Sequence, residues 1–260
     1  MSAATEPVEI QGQSDFNFSS FVLACVRSAI SHPFKKRDNH PVEYGVLPQK
    51  SPIIKLIQLV YTAMDTLTLN VPPTVGLTDE QFYQLCVANE QWRLELTADG
   101  ELIIMPPTGG ESGISNADLT TDLTLWNRQT RLGKVFDSST EFRLPNNAKR
   151  CPNVSWVILQ RWEALSPEQR RRFPPLCPDF VIELRSESDS LKDLRAKMLE
   201  YRDNGARLGW LIDPQTPLVE IYRPTVDVEQ INFSIDEPPT LSGEDVLPGF
   251  VLDLTVILNP

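Results

Sequence analysis

Pro178-Asp179-Phe180-Val181-Ile182-Glu183-Leu184 is the stretch from which the rest of the chain can be placed. Its run of β-branched and aromatic residues predicts a strand. Side chains alternate along a strand, so Phe180, Ile182 and Leu184 share one face while Asp179 and Glu183 share the other. The apolar face belongs in the core. A glutamate on so apolar a strand is costly to bury unless a cation neutralises it. The alternative is a strand-end Glu183 facing water.

Downstream, Ser190 caps a helix that runs to about Asn204 and is closed by Gly205. Leu191, Leu194, Met198 and Tyr201, spaced by three and four, turn one face of it onto the sheet. Lys197 lies beside that stripe, either within reach of Glu183 or as a snorkelling flank residue. Leu208–Ile212 reads as a buried strand, Asp213-Pro214 as a turn, and Val219–Tyr222 as a strand pairing back. Leu247–Phe250 and Val251–Leu258 form an expected edge element.

Upstream, Thr78 and Gln81 make a capping box for a helix to about Asn89. Arg93–Thr97 and Glu101–Met105 are strands joined through Ala98-Asp99-Gly100. A helix is expected from about Ser115 to Thr130, with Leu119, Leu123 and Trp126 on one face. Strands follow at Gly133–Asp137, Thr140–Leu144 and Cys151–Ile158, then a short helix opened by Ser166-Pro167-Glu168-Gln169. This order predicts an α/β domain with a mixed sheet flanked by helices. Residues 1–63 are broken by Pro33, Pro41, Pro48 and Pro52 and read as an extension of low structural content, with one weak helix at Phe21–Ser31. Met64 opens a segment that reads like a natural N-terminus, which sets the expected domain at 64–260.

Charge and composition narrow the chemistry. The chain has 24 basic and 35 acidic side chains, a net charge of -11, so it has no general attraction for a phosphate backbone. Its four cysteines are scattered without a CxxC pair, which fits free thiols in a reducing compartment. No apolar run is long enough to cross a bilayer, and Glu6, Glu9 and Asp15 stand where a signal peptide would be basic. A cytoplasmic protein is the expectation. The only histidines, His32 and His40, lie before Met64. The domain therefore has no histidine for a Ser-His-Asp system or for most catalytic zinc sites. A metal here would be held by oxygen, favouring Mg²⁺ or Mn²⁺.

Several stretches resemble one family. Leu77-Thr-Asp-Glu-Gln-Phe82, Gly100-Glu-Leu-Ile-Ile-Met-Pro-Pro107, Cys177-Pro-Asp-Phe-Val-Ile-Glu183, Ala196-Lys-Met-Leu-Glu-Tyr201 and Gly205-Ala-Arg-Leu-Gly-Trp-Leu-Ile-Asp-Pro214 are similar to the Uma-type restriction endonucleases. These are a bacterial branch of the PD-(D/E)xK nuclease superfamily, and the similarity runs from about Leu67 to Leu258. The resemblance implies a restriction-endonuclease-like α/β core that hydrolyses DNA with Mg²⁺ (or Mn²⁺).

It also implies roles for particular residues. Glu95 and Glu183 correspond to acidic metal ligands and Lys197 to the catalytic lysine, displaced onto the helix, with Arg185 in the usual lysine place. Asn153 stands where Asp is expected in a Pro-Asp-Val-Ser pattern, supplying one neutral carbonyl instead of a charged carboxylate. Asp179 is an additional candidate ligand, or else a strand-start acid. Arg170-Arg171-Arg172 is a candidate grip on DNA phosphates, or else a solvated helix face. Two functions follow: an active Mg²⁺-dependent DNA endonuclease, or a catalytically impaired relative serving as a binding or dimerisation partner. A homodimer is compatible with cutting two strands.

Overall fold

The computed structural model describes residues 66–71, 76–105 and 107–258, all within the compact unit Val46–Pro260. The expected extension 1–63, the helix at Phe21–Ser31 and the boundary at Met64 lie outside the described residues.

Strand β1 (Leu67–Asn70) is followed by helix α1 (Asp79–Ala88), whose capping box is formed as expected, with Thr78 Oγ1 accepting from the Gln81 N–H. Strands β2 (Arg93–Leu96) and β3 (Glu101–Met105) make the hairpin. Helix α2 spans Gly110–Thr130, one turn and more longer than its apolar period suggested. Gly110 and Gly113 weigh against a helix by propensity, yet both are helical here, with Glu111 favourably placed in the positive first turn. Strands β4 (Gly133–Phe136), β5 (Phe142–Arg143), β6 (Lys149–Arg150) and β7 (Val154–Ile158) come next. Two short helices follow, α3 (Leu159–Glu163) and α4 (Pro167–Arg171).

The deciding stretch is strand β8 (Phe180–Leu184). After it come helix α5 (Leu191–Asp203) and strands β9 (Leu208–Asp213), β10 (Leu218–Tyr222), β11 (Glu229–Asn232), β12 (Thr240–Ser242) and β13 (Val251–Asp253). The C-terminal edge element is corrected: β13 stops at Asp253 and helix α6 (Leu254–Leu258) begins. Asp253 Oδ1 accepts the Thr255 N–H, a side-chain turn that ends the strand.

The expected mixed sheet is present, and a second large sheet accompanies it. The mixed sheet has strand order β11-β10-β9-β8-β7-β4, with β8 and β9 parallel and the other pairs antiparallel. The second, antiparallel throughout, runs β1-β3-β2-β6-β5; β12 and β13 pair separately.

Alternation along β8 sorts its side chains as expected. Phe180, Ile182 and Leu184 pack with Leu119, Leu123 and Trp126 of α2. Val181 lies in the core on the other face, with Leu194, Met198 and Tyr201 of α5. Gly209 lets α5 lie close, because a Cβ there would stand 2.6 Å from Met198 Cε. A third core joins Phe82 and Leu85 of α1 to Leu94, Leu96 and Leu102 of the second sheet. Leu94 and Leu96 face α1, so Glu95 between them projects from the opposite side of that sheet. No helix among the described residues is long and apolar enough to cross a membrane.

Candidate active site

Glu183 sits on the face of β8 that α5 covers, and it is only 2% exposed. Lys197 projects from α5 toward it; the position one residue before Met198 sets it at the rim of the apolar stripe. Its Nζ lies 2.8 Å from Glu183 Oε1 and 2.7 Å from Glu95 Oε1, and it donates to the Cys151 carbonyl at 3.1 Å. Neither outward-facing alternative applies: Glu183 does not face water, and Lys197, at 8% exposure, does not snorkel.

Glu95 is shared among several donors. Its Oε1 also accepts the Cys151 N–H at 2.9 Å, and its Oε2 accepts from Arg150 Nη1 at 3.1 Å. Arg150 reaches on to Glu200 Oε2, whose partner oxygen accepts from Asn146 Nδ2. Tyr201, one helical turn after Lys197, donates its hydroxyl to Glu183 Oε1 at 3.2 Å. A buried chain of alternating charge thus links the second sheet, β8 and α5.

The two carboxylates are electrically unequal. Burial alone would raise the Glu95 carboxyl, but the Lys197 and Arg150 charges outweigh it and hold Glu95 down at about 2. Burial raises Glu183, with Lys197 pulling it back and Glu95 adding to the rise. Lys197 is held above its ordinary value: burial works against its charge, and Glu183 and Glu95 overcome that. Glu141, buried near Glu95, is pushed well above the carboxylate range by burial and by that neighbour, and its Oε1 has no partner.

The remaining candidates have partners of their own. Asn153 Oδ1 accepts the Leu184 N–H at 3.1 Å, extending the β7–β8 pairing past its last register pair, and its Nδ2 donates to Asn116 Oδ1 at 3.1 Å. Its side chain is therefore spent on structure. Asp179 lies four residues from Glu183, about 13 Å along the strand. There it accepts from the Ile158 N–H and from Arg161 Nη1, both at 2.9 Å. Of the expected set Glu95, Asn153, Glu183 and Asp179, the two glutamates converge on Lys197 and Asn153 bonds to the residue after Glu183, while Asp179 is corrected to a partner of Arg161 and the Ile158 N–H. Among the described residues no group of three or more His, Cys, Asp or Glu side chains is placed to hold a metal. Arg185 is committed elsewhere, pairing with Asp213 Oδ2 at 2.8 Å.

The arginine run is divided as well. Arg170 donates to the Glu163 carbonyl and lies over the Trp162 ring, and Arg172 pairs with Glu80 while covering the Tyr83 ring at 4.3 Å. Only Arg171 of the three is exposed without a described partner. Sequence reading missed Arg150, the Cys151 main chain, Tyr201 and Asn116. Tyr201 was legible in principle, four residues after Lys197 on one helical face; the others are brought in by sheet pairing alone.

The oxygens that do converge suit a hard cation. Glu95 Oε1, Glu183 Oε1 and the Cys151 carbonyl surround one cationic point, and oxygen donors of this kind favour Mg²⁺ or Mn²⁺ over softer metals.

Comparison with known proteins bears on what such a site does. The model of the Uma2 family, described as "Putative restriction endonuclease", matches residues 79–255. No curated protein matches the sequence. Among solved structures, the chain is similar to a protein described as a "putative nuclease belonging to DUF820" from Anabaena variabilis. The TM-score is 0.54 and the identity 20%, over 64% of this chain and 89% of that one, a likeness in fold.

Proposed function

The chain belongs to the Uma2 family, and on that premise we propose that it is a cytoplasmic DNA endonuclease, hydrolysing phosphodiester bonds with Mg²⁺ or Mn²⁺. The observation that carries this reading is the meeting of Glu95, Glu183 and Lys197, from two sheets and a helix, at one buried point. An acidic protein does not gather such a set for stability alone, since a buried ion pair is at best weakly favourable against apolar packing.

Glu95, Glu183 and the Cys151 carbonyl are the groups that would hold the cation. A cation held there would supply Lewis acidity toward the scissile phosphate and a more acidic coordinated water. Arg150, with Lys197, keeps Glu95 ionised and holds one of its oxygens, and Tyr201 donates a hydrogen bond to one oxygen of Glu183. Lys197, its proton held firmly, supplies positive charge toward developing charge on the phosphate oxygens and is not a base. Arg171, exposed, is the arginine of the run left to contact a phosphate. Cutting both strands calls for two such sites, which a homodimer supplies.

Plasmid nicking in Mg²⁺ or Mn²⁺ by the purified protein tests the reading, with Glu183→Ala and Asn153→Asp alongside. Metal-dependent nicking that Glu183→Ala abolishes supports it. A second reading is favoured by one specific contact, the Asn153 oxygen committed to the Leu184 N–H where a charged ligand is expected. On that reading the chain is an impaired relative that keeps the fold as a binding or dimerisation partner. Nicking by Asn153→Asp alone selects it, and cleavage by neither form removes the enzymatic reading.

A further inference from the structure

The ammonium of Lys197 is fully saturated. It has three protons, and three oxygens surround it: Glu95 Oε1 at 2.7 Å, Glu183 Oε1 at 2.8 Å and the Cys151 carbonyl at 3.1 Å. These are the same three oxygens that offer themselves to a hard cation. A Mg²⁺ ion binds oxygen at about 2.1 Å and an ammonium at about 2.8 Å, so one oxygen triad does not serve both at once. A dication added beside Lys197 would also meet Arg150, already on the far oxygen of Glu95. The cluster Glu95, Glu183, Glu200, Lys197 and Arg150 carries nearly balanced charge before any metal arrives.

We infer that Lys197 is the resident counter-ion of this site: its ammonium occupies the place of the divalent cation, and the metal enters only when the lysine swings aside. A flexible four-carbon stem makes that exchange feasible where an arginine fork would not. Lys197 thus sets the metal affinity of the site as well as contributing charge to the reaction. The inference deepens the proposed function and rests on its cation site, though not on hydrolysis.

The test is Mn²⁺ binding without DNA, comparing wild type with Lys197→Met. Binding is read from the loss of the free Mn²⁺ paramagnetic resonance signal, and stability from thermal denaturation. Lys197→Met is expected to bind one Mn²⁺ about tenfold or more tightly than wild type. Its melting temperature, depressed without metal, should climb by roughly 5–10 °C at a hundredfold excess over Kd. Adding Glu183→Gln to Lys197→Met should abolish the binding. Should Lys197→Met fold poorly, refolding with and without Mn²⁺ gives the same answer: recovery only with metal supports the exchange, and no recovery overturns it. Equal affinity in wild type and Lys197→Met overturns the inference and leaves the nuclease reading intact. Binding by neither overturns both, and tighter binding by Lys197→Met with no nicking by wild type sinks only the hydrolysis.

Discussion

Glu95 and Glu183, carried by strands of different sheets, each place an oxygen within 2.8 Å of one lysine nitrogen but take their other hydrogen bonds from different donors. Glu95 has Arg150 and a main-chain donor; Glu183 has a tyrosine hydroxyl. Their different partners account for their opposite shifts and lead to distinct expectations.

Glu95, held at about 2 against an ordinary 4.5, should govern the acid limb of stability. A carboxyl depressed on folding contributes stability that is present above the unfolded value and lost as pH falls through the folded one. The contribution is on the order of 3 kcal/mol, lost between about pH 4.5 and 2. Urea midpoints across that range, for wild type and Glu95→Gln, check it. Glu95→Gln should be less stable at neutral pH and flatter in acid; an unchanged acid limb would refute the assignment.

At the alkaline end the sign reverses. The Lys197 value is raised on folding, so its contribution is complete below the ordinary 10.5 and fades as pH climbs through the higher folded value. Denaturation midpoints measured from about pH 10 upward should decline less steeply for Lys197→Met than for wild type.

Tyr201→Phe removes the one hydroxyl that donates to Glu183 Oε1 and leaves the ring packing in place. A hydrogen bond to a charged group is worth about 1.5–3 kcal/mol, so the melting temperature should fall by several degrees. Losing a donor to the carboxylate also raises Glu183 further. Nicking by this variant should shift its pH dependence upward; a loss of stability with an unmoved pH profile would assign Tyr201 a packing role only.

Asn153→Asp keeps an acceptor for the Leu184 N–H but faces the Asn116 side-chain oxygen with a second oxygen. Rotation of the Asn116 amide restores a donor there. The extra buried carboxylate should cost about 1–3 kcal/mol without metal, recovered in millimolar Mn²⁺. Thermal scans with and without the ion measure both, and a melting temperature indifferent to Mn²⁺ would separate position 153 from the cation site.

Of the three arginines, Arg171 alone should act on DNA without touching stability. Arg171→Ala is expected to lower the dependence of log affinity on log salt by about one. Arg172→Ala loses its pairing with Glu80 and its cover of Tyr83, exposed contacts, so a small drop in urea midpoint is expected with the salt slope unchanged. Salt titrations and urea midpoints on both variants separate the two roles.

Much of the fold was readable from short-range pattern. The capping boxes at Thr78 and Ser166, the β2–β3 hairpin, the stripe of α5 and the alternation of β8 all depend on residues within a few positions of one another. Spacing of that kind also brought Glu183 and Lys197 forward as candidates, while Glu95 came forward through the family resemblance. The length of α2 and the helical end at Leu254–Leu258 were less legible, because glycine propensity and an apolar run were overridden by packing.

By itself, the sequence settled which side chains share a face of each strand and helix, because side-chain period follows from backbone geometry alone. Only the tertiary structure decided who neutralises whom. Arg150 reaches Glu95 from 55 residues away, Asp179 turns to Arg161, and Asn153 completes a strand pairing instead of joining the acids. Those outcomes depend on strand register and on how α5 lies across the mixed sheet, and no local pattern encodes the pairing of distant strands.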